Sequence, residues 1–160
     1  MGVAGCGKST VGAAIAASQG LPLVEGDHFH SPASRDKMAR GIPLDDADRA
    51  QWLVVLGEQL ASHPDGLVLT CSALKRQYRD KLRQAAPGLR FVFLEITREA
   101  AQQRVSSRDS HFFSVSLVDS QFATLEAPIG EPGVLRVDAL LPIDELQRRV
   151  GAWLRTQDPA

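Results

Sequence analysis

With 160 residues, 44% of them hydrophobic and 23% charged, the chain has the size and balance of a single soluble globular domain. A formal net charge of −1 supplies no basic field, so nucleic acid is not an expected partner. Two cysteines, Cys6 and Cys71, are too few for a disulfide framework or a zinc site. No run approaches about 18 apolar residues and nothing at the N-terminus reads as a signal peptide, so the expectation is a cytoplasmic protein with no membrane partner.

The chain opens on Gly2-Val3-Ala4-Gly5-Cys6-Gly7-Lys8-Ser9-Thr10, which fits G-x-x-x-x-G-K-[ST], the P-loop pattern. Glycines at these spacings let successive N–H groups turn inward around an anion, and the helix that follows adds its positive end. Lys8 is placed to reach the β- and γ-phosphates of a nucleotide, and the Ser9 hydroxyl to ligate Mg²⁺. Cys6, beside a helix N-terminus and Lys8, reads chiefly as a small filler, with redox sensitivity as the alternative.

A P-loop normally follows a buried strand of ~5–6 residues, yet only Met1 precedes Gly2. The first strand is therefore largely missing: either the chain begins further upstream, or it tolerates a gap in its sheet. The expectation is an extension of ~5–8 apolar residues ahead of Met1 that would raise stability and kinase rate together.

Helical periodicity runs from Ser9 to Ser18 and stops at Gly20. Leu21–Glu25 reads as a strand ending at Gly26-Asp27, followed by a polar stretch with a short helix from Ser34 to Arg40. Asp45-Asp46 cap a helix through Ala61 whose apolar face carries Trp52, Leu53, Leu56 and Leu60. Leu67–Cys71 and Leu89–Leu94 are nearly continuous apolar runs, as in strands covered on both faces. Between them a helix is predicted over 72–85. A basic helix follows from Arg98 to Arg108, then a helix over 117–125, a strand Val134–Asp138 and an amphipathic helix Ile143–Arg155. Trp52 and Trp153 both read as core.

Strands alternating with helices predict an α/β, three-layer P-loop NTPase fold, with a parallel sheet and helices on both faces. Ligands of such sheets bind beyond the carboxyl ends of the strands. The P-loop, Gly26-Asp27 and Cys71-Ser72 all fall there. Asp27 is placed to accept a proton from a substrate hydroxyl or to orient Mg²⁺ through water, or else serves as a turn residue. His28 and His30 are candidates for substrate oxygens. Arg104 and Arg108, four residues apart on one helix face, form with His111 a cationic cluster suited to a transferring phosphoryl group, or else a solvated basic face. Lys75, Arg76, Arg79 and Lys81 make a second basic group that either holds an anionic substrate or pairs with Asp80 and solvent.

Several stretches together resemble gluconokinases, small P-loop kinases that phosphorylate D-gluconate with ATP. They are Gly26-Asp27-His28-Phe29-His30, Lys37-Met38, Gly41-Ile42-Pro43-Leu44, Asp46, Asp48-Arg49, Trp52-Leu53, Cys71-Ser72-Ala73-Leu74-Lys75, Tyr78-Arg79-Asp80, His111-Phe112 and Ser120-Gln121-Phe122 with Leu125-Glu126. The resemblance runs from Met1 to about Val137. It implies one kinase domain over 1–160, with residues 27–60 and 72–80 around the sugar acid and 104–115 as a lid. It further implies ATP and Mg²⁺ as cofactors and 6-phosphogluconate as product.

Under this resemblance Lys8, Asp27 and Arg108 are the catalytic candidates. Residues 2–10 and Arg104 bind nucleotide, and Asp27, His30, Lys37, Ser72, Lys75, Arg79 and His111 bind substrate. The related kinases suggest a homodimer, although no interface signature is visible. The alternatives are a sibling kinase acting on shikimate or another polyhydroxy acid, and a nucleotide-binding module without turnover.

Overall fold

A computed structural model describes residues 1–107 and 115–156. In chain order the elements are α1 (Lys8–Gln19), β1 (Leu23–Glu25), a 3₁₀ turn (Gly26–Phe29), α2 (Pro32–Ala39), α3 (Asp46–Ala61), β2 (Val68–Thr70), α4 (Arg76–Ala85), β3 (Phe91–Glu95), α5 (Arg98–Ser106), α6 (Val115–Thr124), β4 (Val134–Asp138) and α7 (Ile143–Thr156). All strand pairing is parallel, and α1 packs with α7 while α3 packs with α4. The three-layer α/β architecture follows.

The sheet differs from a continuous one. Among the described residues it consists of two pairs, β1 with β2 and β3 with β4. Leu23 lies opposite Val68 in the first pair, and Phe91 opposite Val134 in the second. Met1 bridges the gap at one end. Its ammonium donates to the Val92 carbonyl at 2.6 Å, and its own carbonyl accepts from Leu94 N–H at 3.0 Å. Gly2 N–H then donates to the Ser72 carbonyl at 3.2 Å, on the other side. Two residues thus act as the stub of a middle strand. Behind them lies a cleft of about 570 Å³ with Leu67, Leu69 and Cys71 on one side and Phe91 and Val92 on the other.

Local chemistry explains the helix starts. Asp45 caps α3 in a capping box, accepting from Asp48 N–H while the Asp48 carboxylate accepts from Asp45 N–H. Ser31 caps α2 ahead of Pro32, and Thr97 caps α5.

Three boundaries depart from the sequence pattern. Helix α4 begins at Arg76 rather than Ser72, because Ala73 takes a left-handed φ of 44° and the chain stays irregular up to Lys75. Helix α5 ends at Ser106, short of Arg108. Trp52 is core at 3% exposure, whereas Trp153 is only half-buried and lines the cleft.

Candidate active site

The P-loop closes on itself as its glycines allow. Gly5 and Gly7 have φ of 82° and 91°, and a Cβ at Gly5 would come within 2.7 Å of the Ala101 carbonyl. Gly7 is also the left-handed N-cap of α1, so the helix end faces the loop's interior. Val3 and Cys6, at 2% and 0% exposure, are the underside of the loop and belong to the core. Cys6 is therefore a filler.

Lys8 Nζ donates to the carbonyls of Gly2 and Val3 at 3.1 and 3.0 Å, holding its charge over the loop. The Ser9 hydroxyl donates to Glu25 Oε2 at 3.1 Å, and Thr70 donates to the same carboxylate. Glu25 ends β1 and Thr70 ends β2 opposite it, so strand register delivers both to the first turn of α1.

Asp27 follows in the 3₁₀ turn, which can pack against β2 only because residue 26 is glycine. A Cβ there would lie 2.4 Å from the Thr70 carbonyl. The Asp27 side chain is 68% exposed, with His30 Nε2 at 3.7 Å from Oδ1. Its carboxyl sits below the usual aspartate value. Desolvation pushes it up, but the His30 ring beside it and the charge of Lys8 together push it further down. The His30 ring stacks on Trp52 with centroids 4.5 Å apart, while Trp52 Nε1 donates to the Gly26 carbonyl at 2.8 Å. His30 is buried and its Nδ1 has no hydrogen-bond partner.

Several of these groups share one pocket of about 140 Å³. Lys8, Ser9, Asp27, His30 and Ser72 line it together with Arg49 and Gln121. A glycine-rich loop with a lysine and a helix end, facing an ionised carboxylate across a polar pocket, is suited to phosphoryl transfer onto a hydroxyl.

The shikimate kinase family model matches residues 4–121. The chain is 46% identical to a gluconokinase of Gluconobacter oxydans (strain 621H), the match covering 86% of this chain and 79% of that one. It is 39% identical to the thermosensitive gluconokinase of Escherichia coli (strain K12), over 86% and 76%. Among solved structures, a gluconokinase from Sinorhizobium meliloti 1021 superposes with a TM-score of 0.87 at 46% identity, covering 99% of this chain and 95% of that one. The chain belongs to the gluconokinase family. A deoxyadenosine kinase from M. mycoides, at 15% identity and a TM-score of 0.66, shares the fold alone.

Not every residue that the gluconokinase resemblance marks reaches the pocket. Arg79 is fully buried and makes five hydrogen bonds: to the carbonyls of Ala73, Leu74 and Glu126, and twice to the Glu131 carboxylate. It braces the irregular 72–75 stretch and has no donor left for substrate. Lys37 forms an ion pair with Asp48 at 2.6 Å, tying α2 to α3. Lys75 pairs with Asp46 at 2.8 Å in an adjoining surface depression. Arg104 Nη1 lies 3.5 Å from the Gly5 carbonyl and 3.3 Å from that of Ala139, beside the P-loop. Arg108 and His111 lie outside the described residues.

Three residues of the site receive no role in it from the sequence, although Arg49 and Gln121 stand in stretches that resemble gluconokinases. Glu25 carries a visible signal, a second carboxylate two positions before Asp27 at the end of the same strand. Arg49 carries one too. It lies three residues before Trp52 and seven before Leu56, so a charge falls on the apolar face of α3. In the fold it is 8% exposed, donates Nη1 to the Leu44 carbonyl and lies 5.7 Å from the Tyr78 ring centre, while lining the pocket. Gln121 shows no signal in spacing or periodicity, only its place in the Ser120-Gln121-Phe122 stretch of the resemblance.

Proposed function

We propose that this chain transfers the γ-phosphoryl group of ATP to the primary hydroxyl of D-gluconate, giving 6-phospho-D-gluconate and ADP. The observation that carries this reading is the single pocket in which Lys8 and Ser9 face Asp27 and Arg49. The glycine-rich loop of residues 2–10, Lys8 and the α1 N-terminus fit a triphosphate. Arg104, beside Gly5, flanks the same nucleotide.

Ser9 Oγ and the Glu25 carboxylate, 3.1 Å apart, are oxygen donors that fit Mg²⁺ directly or through water. When bound, the ion offsets charge on the phosphates. Asp27, ionised by its surroundings, takes the proton as the hydroxyl oxygen bonds to phosphorus and the bond to ADP breaks. Arg49, a buried guanidinium with donors remaining, is suited to the carboxylate of the sugar acid. His30 and Ser72 complete the substrate side. Arg108 is assigned to the transferring group and His111 to the substrate. Lys37, Lys75 and Arg79 act at one remove, by fixing the segments that carry Arg49 and Ser72.

Among the described residues no helix is long and apolar enough to cross a membrane. Two free, buried cysteines support a cytoplasmic setting.

The test is a coupled ADP-release assay across gluconate, shikimate and other polyhydroxy acids, with Lys8→Ala alongside. Gluconate should give the highest kcat/KM. Lys8→Ala should lose at least ~2 kcal/mol of transition-state interaction, about thirtyfold in rate, with its fold intact. A preference for another acid overturns the substrate. ATP binding without turnover on any acid returns the chain to a binding module.

A further inference from the structure

We infer that Gln121 determines specificity in this pocket, holding the phosphate-binding loop with one end of its amide and reading a hydroxyl of the sugar acid with the other. The inference rests on the gluconate reading above.

Ala4 N–H donates to Gln121 Oε1 at 2.7 Å, a contact spanning 117 residues of sequence. A backbone N–H is only a donor, so the amide atom facing it must be the oxygen. The amide is thereby oriented, with Nε2 and its two hydrogens turned away from the loop. Nε2 has no hydrogen-bond partner among the described residues, and it is not sealed from solvent. A pocket-lining side chain with a fixed acceptor and a free donor is half satisfied by the protein and half available to a ligand.

The helix that carries it cannot easily turn. On α6, Leu117 and Val118 are 3% and 0% exposed. Asp119 accepts from Gln102 of α5 at 2.8 Å and faces Arg98 at 3.7 Å. Leu117, Ser120 and Gln121, at i, i+3 and i+4, therefore present one face to the pocket. That face meets Pro43, Leu44 and Arg49, and Ser120 also borders the depression beside Asp46 and Lys75. Gln121 thus touches the phosphate loop through Ala4 and lines the same pocket as residues 43, 44 and 49. Lys8 and Arg49 supply cations for the anionic parts of the ligands. A neutral donor lining the same pocket suits a neutral acceptor, and the hydroxyl oxygens of a polyol are of that class.

The experiment compares kcat/KM for D-gluconate and each of its monodeoxy analogues in wild type, Gln121→Met and Gln121→Ala, with folded content followed by circular dichroism. In wild type one monodeoxy analogue should fall at least about tenfold below gluconate, because it leaves the Nε2 donor unpaired. In both variants that ratio should shrink to within about twofold, since no donor remains to discriminate, whatever the overall loss of rate. A residue that merely props the loop lowers every substrate alike. A ratio that stays at its wild-type value for every analogue overturns the inference and leaves the gluconate reading standing, as does loss of the fold in both variants. Failure of the wild type to phosphorylate gluconate removes the underlying reading instead.

Discussion

The carboxyl-terminal rim of the sheet and the cleft between β2 and β3 are neighbours with opposite characters. At the rim polar groups are held by specific partners: Ser9 and Thr70 on Glu25, Trp52 on the Gly26 carbonyl, Gln121 on Ala4, Arg79 on three carbonyls. In the cleft, apolar side chains of β2 and β3 face each other across about 570 Å³ with no strand between them among the described residues. The cleft is roomy enough for water, which can meet the unpaired strand edges but does nothing for the apolar faces. Met1 and Gly2 join the two regions and anchor the P-loop to both sheet pairs. The chemistry thus depends on where strands end, and the stability on what lies along them.

If the two regions are separable, a change at the rim should remove turnover and leave stability alone. Asp27→Asn keeps size and hydrogen bonding but loses the charge, so kcat should fall by ~10²-fold or more with ATP affinity retained. Because Asp27 is 68% exposed, the unfolding midpoint should hardly move. Turnover within a fewfold of wild type demotes Asp27 to a turn residue. A large drop in the midpoint breaks the separation itself.

The converse change addresses the cleft. Joining about five apolar, β-branched residues ahead of Met1 should pair both exposed edges and bury side chains against Leu69, Phe91 and Ile15. After the entropy of ordering the segment, a gain on the order of 2–3 kcal/mol corresponds to a midpoint higher by roughly 5–10 °C. Near the wild-type midpoint the kinase rate should rise with it, as more chains are folded; well below, the two rates should converge. A polar extension of equal length is the control. An unchanged midpoint means that the sheet pairs close on each other in solution and the cleft is not a strand's place.

Much of this was legible in the sequence, for reasons that differ by residue. The P-loop, the Asp45 cap and the apolar face of α3 are local patterns, and the fold realises each of them. Asp27 and Ser72 could be placed because strand ends converge in a parallel sheet. Long-range partners were not legible. Arg79 stands in a basic run and looks like surface charge, yet it lies three residues before Leu82 on the buried face of α4, and its carboxylate partner Glu131 is 52 residues away. The same arginine collects the Ala73 and Leu74 carbonyls, which keeps 72–75 out of the helix that the local composition favours. Lys37 and Lys75 likewise lose their availability to Asp48 and Asp46.

The smallest expected effect sharpens the boundary between pocket and flank. Asp46, in the first turn of α3, accepts from Lys75, from the Tyr78 hydroxyl and from Gln77. The Lys75 hydrogen bond, and next that of Tyr78, lower its carboxyl from 3.8 to about 2. A carboxylate depressed on folding stabilises the folded state fully above its unfolded value, and that contribution fades as pH falls through the folded value. Wild type should therefore be slightly more stable than Asp46→Asn at neutral pH, with the gap closing between pH 3.8 and about 2. Asp46 and Lys75 both reach solvent, so the gap should be small and should shrink further in salt. Gluconate turnover should stay within a fewfold of wild type, because Lys75 borders the depression outside the main pocket. Denaturant titrations of both proteins across this range, with kcat/KM at neutral pH, check each part. A gap that persists at pH 2 assigns it to packing. A large rise in the KM for gluconate would bring Lys75 back into the substrate's reach and move the edge of the site outward to α4.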